Sequence, residues 1–128
     1  GRHKGPGPGP MIDIDDTIFR IKSFIKALEG DEGFDGLDQT SIDILTRIGG
    51  AYARRESLRS SDLAENPDFG RAASLYRKLS QLAPDGWITS TQAQADARSR
   101  FIVPTSRTLH AFNRMSNKLK QQLSEAKA

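Results

Sequence analysis

The sequence predicts a mainly α-helical (α+β) fold made of one domain, with a single β-hairpin before its last helix. Apolar residues recur at spacings of three and four in several segments, as they do on the buried face of an amphipathic helix. The stretch 87–103 instead has β-forming residues at both ends and small polar residues between them. The length of 128 residues is that of one domain.

The first and last helices are predicted from long apolar stripes. The first helix runs from Asp15 to Gly30, and the last begins with Ser106 as its cap. The two stripes exceed what one small core covers, so we expect them to interlock with a second copy, although they also suit packing on each other within one chain. The predicted dimer interface consists of Ile18, Ile21, Ile25, Leu28, Phe112, Met115, Leu119 and Leu123.

Three shorter helices are predicted between the outer ones. Asp38 is the expected N-cap of the first, with Leu37 packed against Ile42. Ser60 is the expected cap of a brief helix that ends before Pro67. The next helix follows at once, and its inward face consists of Ala72, Leu75, Leu79 and Leu82.

The hairpin pairs residues 87–91 with residues 101–103, and Pro104 closes it. Two short helices, a tight turn, a helix with a basic exposed side and a hairpin form the order of a winged helix-turn-helix with a two-stranded β-hairpin wing. The same elements also suit a small α+β core without that role. We expect residues 37–105 to form a DNA-binding core, and 11–36 and 106–128 to form N- and C-terminal dimerisation helices.

Residues 1–10 are rich in Gly and Pro, and we interpret them as a disordered leader that precedes a native start at Met11. Residues 11–128 are then one winged-helix domain. No apolar run approaches the roughly 20 residues of a membrane helix, and no signal peptide is recognisable. We therefore expect a cytoplasmic protein.

Composition argues against several classes of chemistry. The chain has no cysteine and two histidines, His3 and His110, which leaves little material for a metal cluster or a catalytic triad. No phosphate-cradling glycine motif and no nucleophile with a base are visible. The prediction is a non-enzyme without metal or cofactor.

Charge is distributed unevenly along the chain. Residues 11–69 carry 13 acidic and seven basic side chains, whereas 70–107 carry six basic and two acidic ones. Residues 108–128 carry four basic and one acidic. A basic second half favours a polyanionic partner, although solvated surfaces also segregate charge by chance.

The residues around the hairpin resemble those of the multiple-antibiotic-resistance regulator (MarR) family. Leu82, Gly86, Trp87 and Ile88 are similar to the family's exit from the recognition helix into the wing. Residues 96–100 match its Asp-x-Arg wing signature, and 103–105 are similar to the start of its following helix. Pro84 and Thr108 depart from the family pattern. The resemblance implies a dimeric DNA-binding regulator, and the family's ligand pocket, where there is one, lies at the dimer interface.

The charged residues of the wing also indicate DNA binding on physical grounds, independently of the family resemblance. Arg98 and Arg100 suit the narrow, electronegative minor groove of DNA, with Asp96 directing an arginine through a bidentate pair. The alternative is a surface salt bridge that contributes about 0–1 kcal/mol.

On the predicted recognition helix, Ser74, Arg77 and Lys78 lie within one turn. Arg77 suits a guanine edge, Ser74 suits a base or a phosphate, and Lys78 suits a phosphate. Arg71 and Ser60, at two helix starts, are expected phosphate contacts. Tyr76 either packs under the wing or touches the DNA backbone.

These features together predict a sequence-specific double-stranded DNA-binding transcriptional regulator that acts as a homodimer on a pseudo-palindromic operator. The alternative is a winged-helix protein-protein interaction module, in which the wing arginines meet an acidic partner. The family resemblance suggests a phenolic or lipophilic small-molecule effector, and it leaves open whether this chain has one.

Overall fold

A computed structural model describes residues 12–31, 33–34, 36–91 and 100–127 of the chain. Its elements follow the predicted order of helices and hairpin, which confirms the fold class. They are α1 (Thr17–Asp31), α2 (Gln39–Ala53), α3 (Ser60–Ala64), a 3-10 turn (Pro67–Phe69), α4 (Ala72–Leu82), β1 (Ile88–Thr91), β2 (Phe101–Pro104) and α5 (Ser106–Lys127). Within these ranges, no helix combines the length and the apolar character that crossing a membrane requires.

Of the three predicted N-cap residues, the structure confirms one and contradicts two. Asp38 caps α2 as predicted, because its Oδ1 accepts a hydrogen bond from the backbone N–H of Ser41 at 2.8 Å. Ser60 and Ser106 are not caps, since each is already the first helical residue. The residue before α5 takes that role instead: Thr105 Oγ1 accepts from the backbone N–H of Thr108 at 3.4 Å.

The wing is a two-stranded sheet, as predicted, and a third segment contacts it through an isolated bridge. β1 and β2 pair antiparallel, with Ile88 opposite Pro104 and Thr91 opposite Phe101. The other edge of β2 pairs with the segment before α3, because the N–H of Ile102 donates to the carbonyl of Leu58 at 2.8 Å. This third segment therefore fixes the base of the hairpin against the helix-turn-helix.

The core is formed by side chains from the helices and both hairpin strands. The least exposed large apolar residues come from α2, α3, α4 and the loop before α2, and they are Phe34, Ile44, Leu45, Ile48, Leu63, Leu75 and Leu82. The Phe34 ring lies 5.5 Å from the Trp87 ring and 5.1 Å from the Phe112 ring. These contacts join the α1–α2 loop to the residue before β1 and to α5.

Two adjacent glycines in α2 give a matched test of how closely α2 and α5 pack. A Cβ at Gly49 would lie 3.1 Å from the Phe112 ring, whereas a Cβ at Gly50 would meet only the flexible guanidinium of Arg54. Both alanine variants gain the same helix propensity, so we expect Gly49→Ala to be less stable than Gly50→Ala by about 1 kcal/mol. Urea unfolding of the two variants measures the difference, and equal midpoints would show that the ring yields without cost.

Candidate nucleic-acid interface

Helix α4 presents one side to the core and the opposite side to solvent. Leu75, Leu79 and Leu82 are buried. Ala73, Arg77, Ser80 and Gln81 are exposed on the opposite side, which we call the α4 outer face. Small and polar side chains beside one arginine allow the helix backbone to approach a partner closely and to hydrogen-bond with it.

The structure changes the predicted composition of this face. Arg77 stands exposed in its centre, as the recognition-helix prediction requires, while Ser74 is only partly exposed. Ala73 and Ser80 were missed by the sequence analysis, although their spacing to Arg77 could have found them. The three residues follow one another at intervals of four and three, opposite the buried leucines.

Lys78 is not part of the outer face. Its Nζ donates to Oδ2 of Asp38 at 2.6 Å, so the side chain points toward the start of α2. The pKa of Asp38 is lowered to about 2 by this hydrogen bond and by the bond from the backbone N–H of Ser41. The Asp38 carboxylate is therefore ionised at neutral pH. A DNA phosphate would have to compete with this carboxylate for the ammonium of Lys78.

Arg71 and Ser60 lie at two helix starts, in different surroundings. Arg71 is exposed in extended conformation immediately before α4, where its side chain makes no capping hydrogen bond. Ser60 is only 5% exposed, and its backbone N–H donates to the carbonyl of Arg100 at 3.2 Å. Ser60 lines the cleft that Arg100 also lines, but it is nearly buried and its amide is already bonded, so its phosphate contact stays a prediction.

Arg100 lies at the base of the hairpin, in a cleft between β1, β2 and α4. The cleft has a volume of about 250 Å³, and its polar lining includes Ser80, Thr89 and Ser90. Among the described residues, the buried Nε of Arg100 has no hydrogen-bond partner. The other two predicted wing residues, Asp96 and Arg98, lie outside the described residues, so their part in the interface stays a prediction.

No protein-family model matches the sequence, and no curated protein matches it either. Solved structures do match. Staphylococcus aureus MarR in complex with salicylate and kanamycin is 16% identical, with a TM-score of 0.58 over 88% of this chain and 73% of that chain. The transcriptional regulator Tm0710 from Thermotoga maritima is 20% identical, with a TM-score of 0.57 over 85% and 77%. S. aureus MepR bound to ethidium bromide is 18% identical, with a TM-score of 0.57 over 89% and 83%.

The chain has the MarR-type winged-helix fold. At these identities the likeness establishes the fold, and the fold assigns structural positions to the elements described above. In this arrangement α4 is the helix that follows the turn of the helix-turn-helix, and β1 and β2 form the wing.

The outer helices of this MarR-type fold carry an apolar surface. Ile18 is 53% exposed, Phe19 is 56% exposed and Leu123 is 43% exposed. Leu123 lines a cleft of about 480 Å³ between the start of α1 and the end of α5 together with Ile21, Phe24 and Leu119, while Ile18 and Phe19 lie in the first turn of α1. Ile18, Phe19, Ile21, Phe24, Leu119 and Leu123 are called the α1–α5 apolar face below.

The predicted dimer-interface residues divide into two groups. The first group is exposed or partly exposed, as a surface that receives a second copy requires, and consists of Ile18, Ile21, Ile25, Phe112, Leu119 and Leu123. Leu28 and Met115 are 5% and 9% exposed within the single chain. The prediction is corrected for these two residues, since they pack in the protomer core and leave little surface for a partner.

Proposed function

We propose that the chain is a sequence-specific double-stranded DNA-binding transcriptional regulator that acts in the cytoplasm as a homodimer on a pseudo-palindromic operator. The observation that carries this proposal is the α4 outer face, an exposed strip of small and polar residues around Arg77 beside the hairpin. The solved regulators of the same fold support it. The proposal includes no enzymatic step, metal or cofactor.

The outer face suits the major groove of B-form DNA. An α-helix fits into that groove. The small side chain of Ala73 would let the helix backbone come close to the bases. Arg77 has the forked guanidinium that binds guanine O6 and N7, while Ser80 and Gln81 offer further hydrogen-bonding groups. Specificity would therefore depend mainly on Arg77.

Phosphate and minor-groove contacts would come from the two ends of this surface. Arg71 is exposed at the start of α4, and Arg100 lies where the hairpin meets the helix. A duplex whose major groove holds α4 would pass its sugar-phosphate backbone between helix and wing, near Arg100. The wing tip with Asp96 and Arg98 would then reach the adjacent minor groove.

Dimerisation would bury the α1–α5 apolar face. Removal of apolar surface from water stabilises such a dimer. The largest contributions would come from the exposed residues Ile18, Phe19 and Leu123, and smaller ones from the partly exposed Ile21, Ile25, Phe112 and Leu119. Two-fold symmetry would place the two α4 helices in successive major grooves, about 10 base pairs apart. An effector at this dimer interface is part of the proposal, and its chemical class is left open.

A selection of bound sequences from a random duplex pool tests the proposal directly. The expected result is a palindrome whose half-sites are about one helical turn apart. Light scattering on the free protein should give twice the mass of the chain. Recovery of no enriched sequence would overturn specific recognition, and an enriched site without two-fold symmetry would overturn the dimeric reading of DNA.

Salt dependence gives a quantitative check. Arg71 and Arg100 in each protomer amount to about four neutralised phosphates per dimer, which predicts a loss of about 100-fold in affinity between about 50 and 200 mM salt. Fluorescence anisotropy with the selected duplex measures this slope. A flat response would contradict a complex held by arginine–phosphate contacts, and would favour the protein-interaction module instead.

A further inference from the structure

Asp38 connects the start of α2 to the middle of α4. Its Oδ1 accepts from the backbone N–H of Ser41 at 2.8 Å, and its Oδ2 accepts from Nζ of Lys78 at 2.6 Å. The two carboxylate oxygens therefore have separate partners. One bond caps a helix locally, while the other spans 40 residues of sequence and holds a cation.

Lys78 lies where a DNA phosphate would compete for it. The residue directly follows Arg77, and its side chain is 26% exposed at the edge of the α4 outer face. A lysine ammonium on its flexible stem contacts phosphate as a point charge. With α4 in a major groove, the phosphates that border this groove would lie beside the same edge, but the ammonium already has a charged partner.

We propose that Asp38 withholds Lys78 from DNA phosphates, and so sets how many phosphates each protomer neutralises. This inference rests on the proposed function. The exposed carboxylate also adds a negative charge at the rim of a surface that receives a polyanion. The Asp38–Lys78 pair thus lowers the affinity for DNA of any sequence and leaves the sequence-specific contacts of Arg77 unchanged.

The test is the variant Asp38→Asn in the full chain. Asparagine is as good an N-cap as aspartate, so the start of α2 is kept while the charge on Lys78's partner is removed. For a labelled mixed-sequence duplex, we expect affinity to rise about five-fold for each protomer that contacts DNA, and the logarithmic salt slope to steepen by about one per protomer. Circular dichroism and thermal melting verify that the variant is folded.

Asp43→Asn is the matched control. Asp43 is also an exposed aspartate of α2, but its carboxylate accepts from the side-chain amide of Gln39 at 2.9 Å and does not contact Lys78. The control makes the same change in net charge, so a smaller gain is expected. An equal gain in both variants would overturn the inference, because net charge alone would then explain it.

The double variant Asp38→Asn, Lys78→Gln identifies the cation that is released. Measured against Lys78→Gln alone, we expect the gain of Asp38→Asn to fall to that of the Asp43→Asn control. A gain that stays above the control without Lys78, or unchanged or weaker binding by Asp38→Asn, would overturn the inference while leaving the proposed function standing. Absence of duplex binding by the wild-type chain would overturn both.

Discussion

Replacement of Arg77 with alanine is expected to weaken binding to the selected operator by about 10- to 100-fold for each half-site, because a bidentate arginine–guanine contact contributes about 1–3 kcal/mol. Arg77 is exposed in the centre of the α4 outer face and is absent from the described ion pairs. Its loss should leave folding intact. Operator titrations by fluorescence anisotropy, with a mixed-sequence duplex alongside, measure the effect.

Two variants sharpen this test. Arg77→Lys keeps the charge but loses the planar fork, so it should retain binding to mixed-sequence DNA while losing the preference for one base. Arg54→Ala removes an exposed arginine from the end of α2, where it pairs with Glu56 at 3.3 Å. Unchanged operator affinity in Arg77→Ala would contradict the proposed role of the outer face, and an equal loss in Arg54→Ala would reduce that role to net charge.

The fold was largely predictable because its elements have local causes. Each helix repeats its apolar residues with the helical period, and Asp38 caps α2 through a residue only three positions away. Pro84 does not interrupt α4, since the helix ends at Leu82 before the proline is reached. These signals lie within a few residues of the structure that they determine.

The errors came from contacts between distant segments. Ser60 resembles a cap by composition, but pairing of its segment with β2 buries it, and that strand comes 40 residues later. The predicted phosphate contact of Lys78 stays a prediction, but the sequence did not indicate that Asp38 pairs with this lysine. The buried hydroxyl of Thr108 donates to the carbonyl of Trp87, 21 residues earlier, at 2.7 Å, another contact between distant segments that the sequence does not indicate.

In the candidate site, too, local sequence patterns were predictable and contacts between distant segments were not. The periodicity of α4 identifies which residues share a face, yet it does not tell that Lys78, beside that face, is already paired with Asp38. Likewise, the apolar stripes of α1 and α5 are visible in the sequence, but only packing separates Leu28 and Met115 from the exposed residues beside them. Sequence therefore predicts the candidate surfaces, whereas tertiary contacts show which of the predicted side chains are exposed on them.

Replacement of Ile18 with glutamate is expected to separate the proposed dimer and to weaken operator binding by about 10²- to 10⁴-fold. Ile18 is 53% exposed in the single chain, so a charge there costs the protomer little, while burial of the unpaired carboxylate between two copies is costly. Once separated, each protomer binds one half-site alone and loses the advantage of linked half-sites, which is the origin of the expected 10²–10⁴ factor. Analytical ultracentrifugation and operator titration measure the two consequences.

Tyr52→Glu is the matched control for Ile18→Glu. Tyr52 is 49% exposed, but it lies near the end of α2, outside the α1–α5 apolar face. The two substitutions each replace a half-exposed apolar residue with the same charge, so only the position differs. Dissociation by Ile18→Glu alone would place the dimer contact on α1 and α5. Dissociation by Tyr52→Glu alone would move the contact to α2, and would require that the two α4 helices be spaced differently along the DNA.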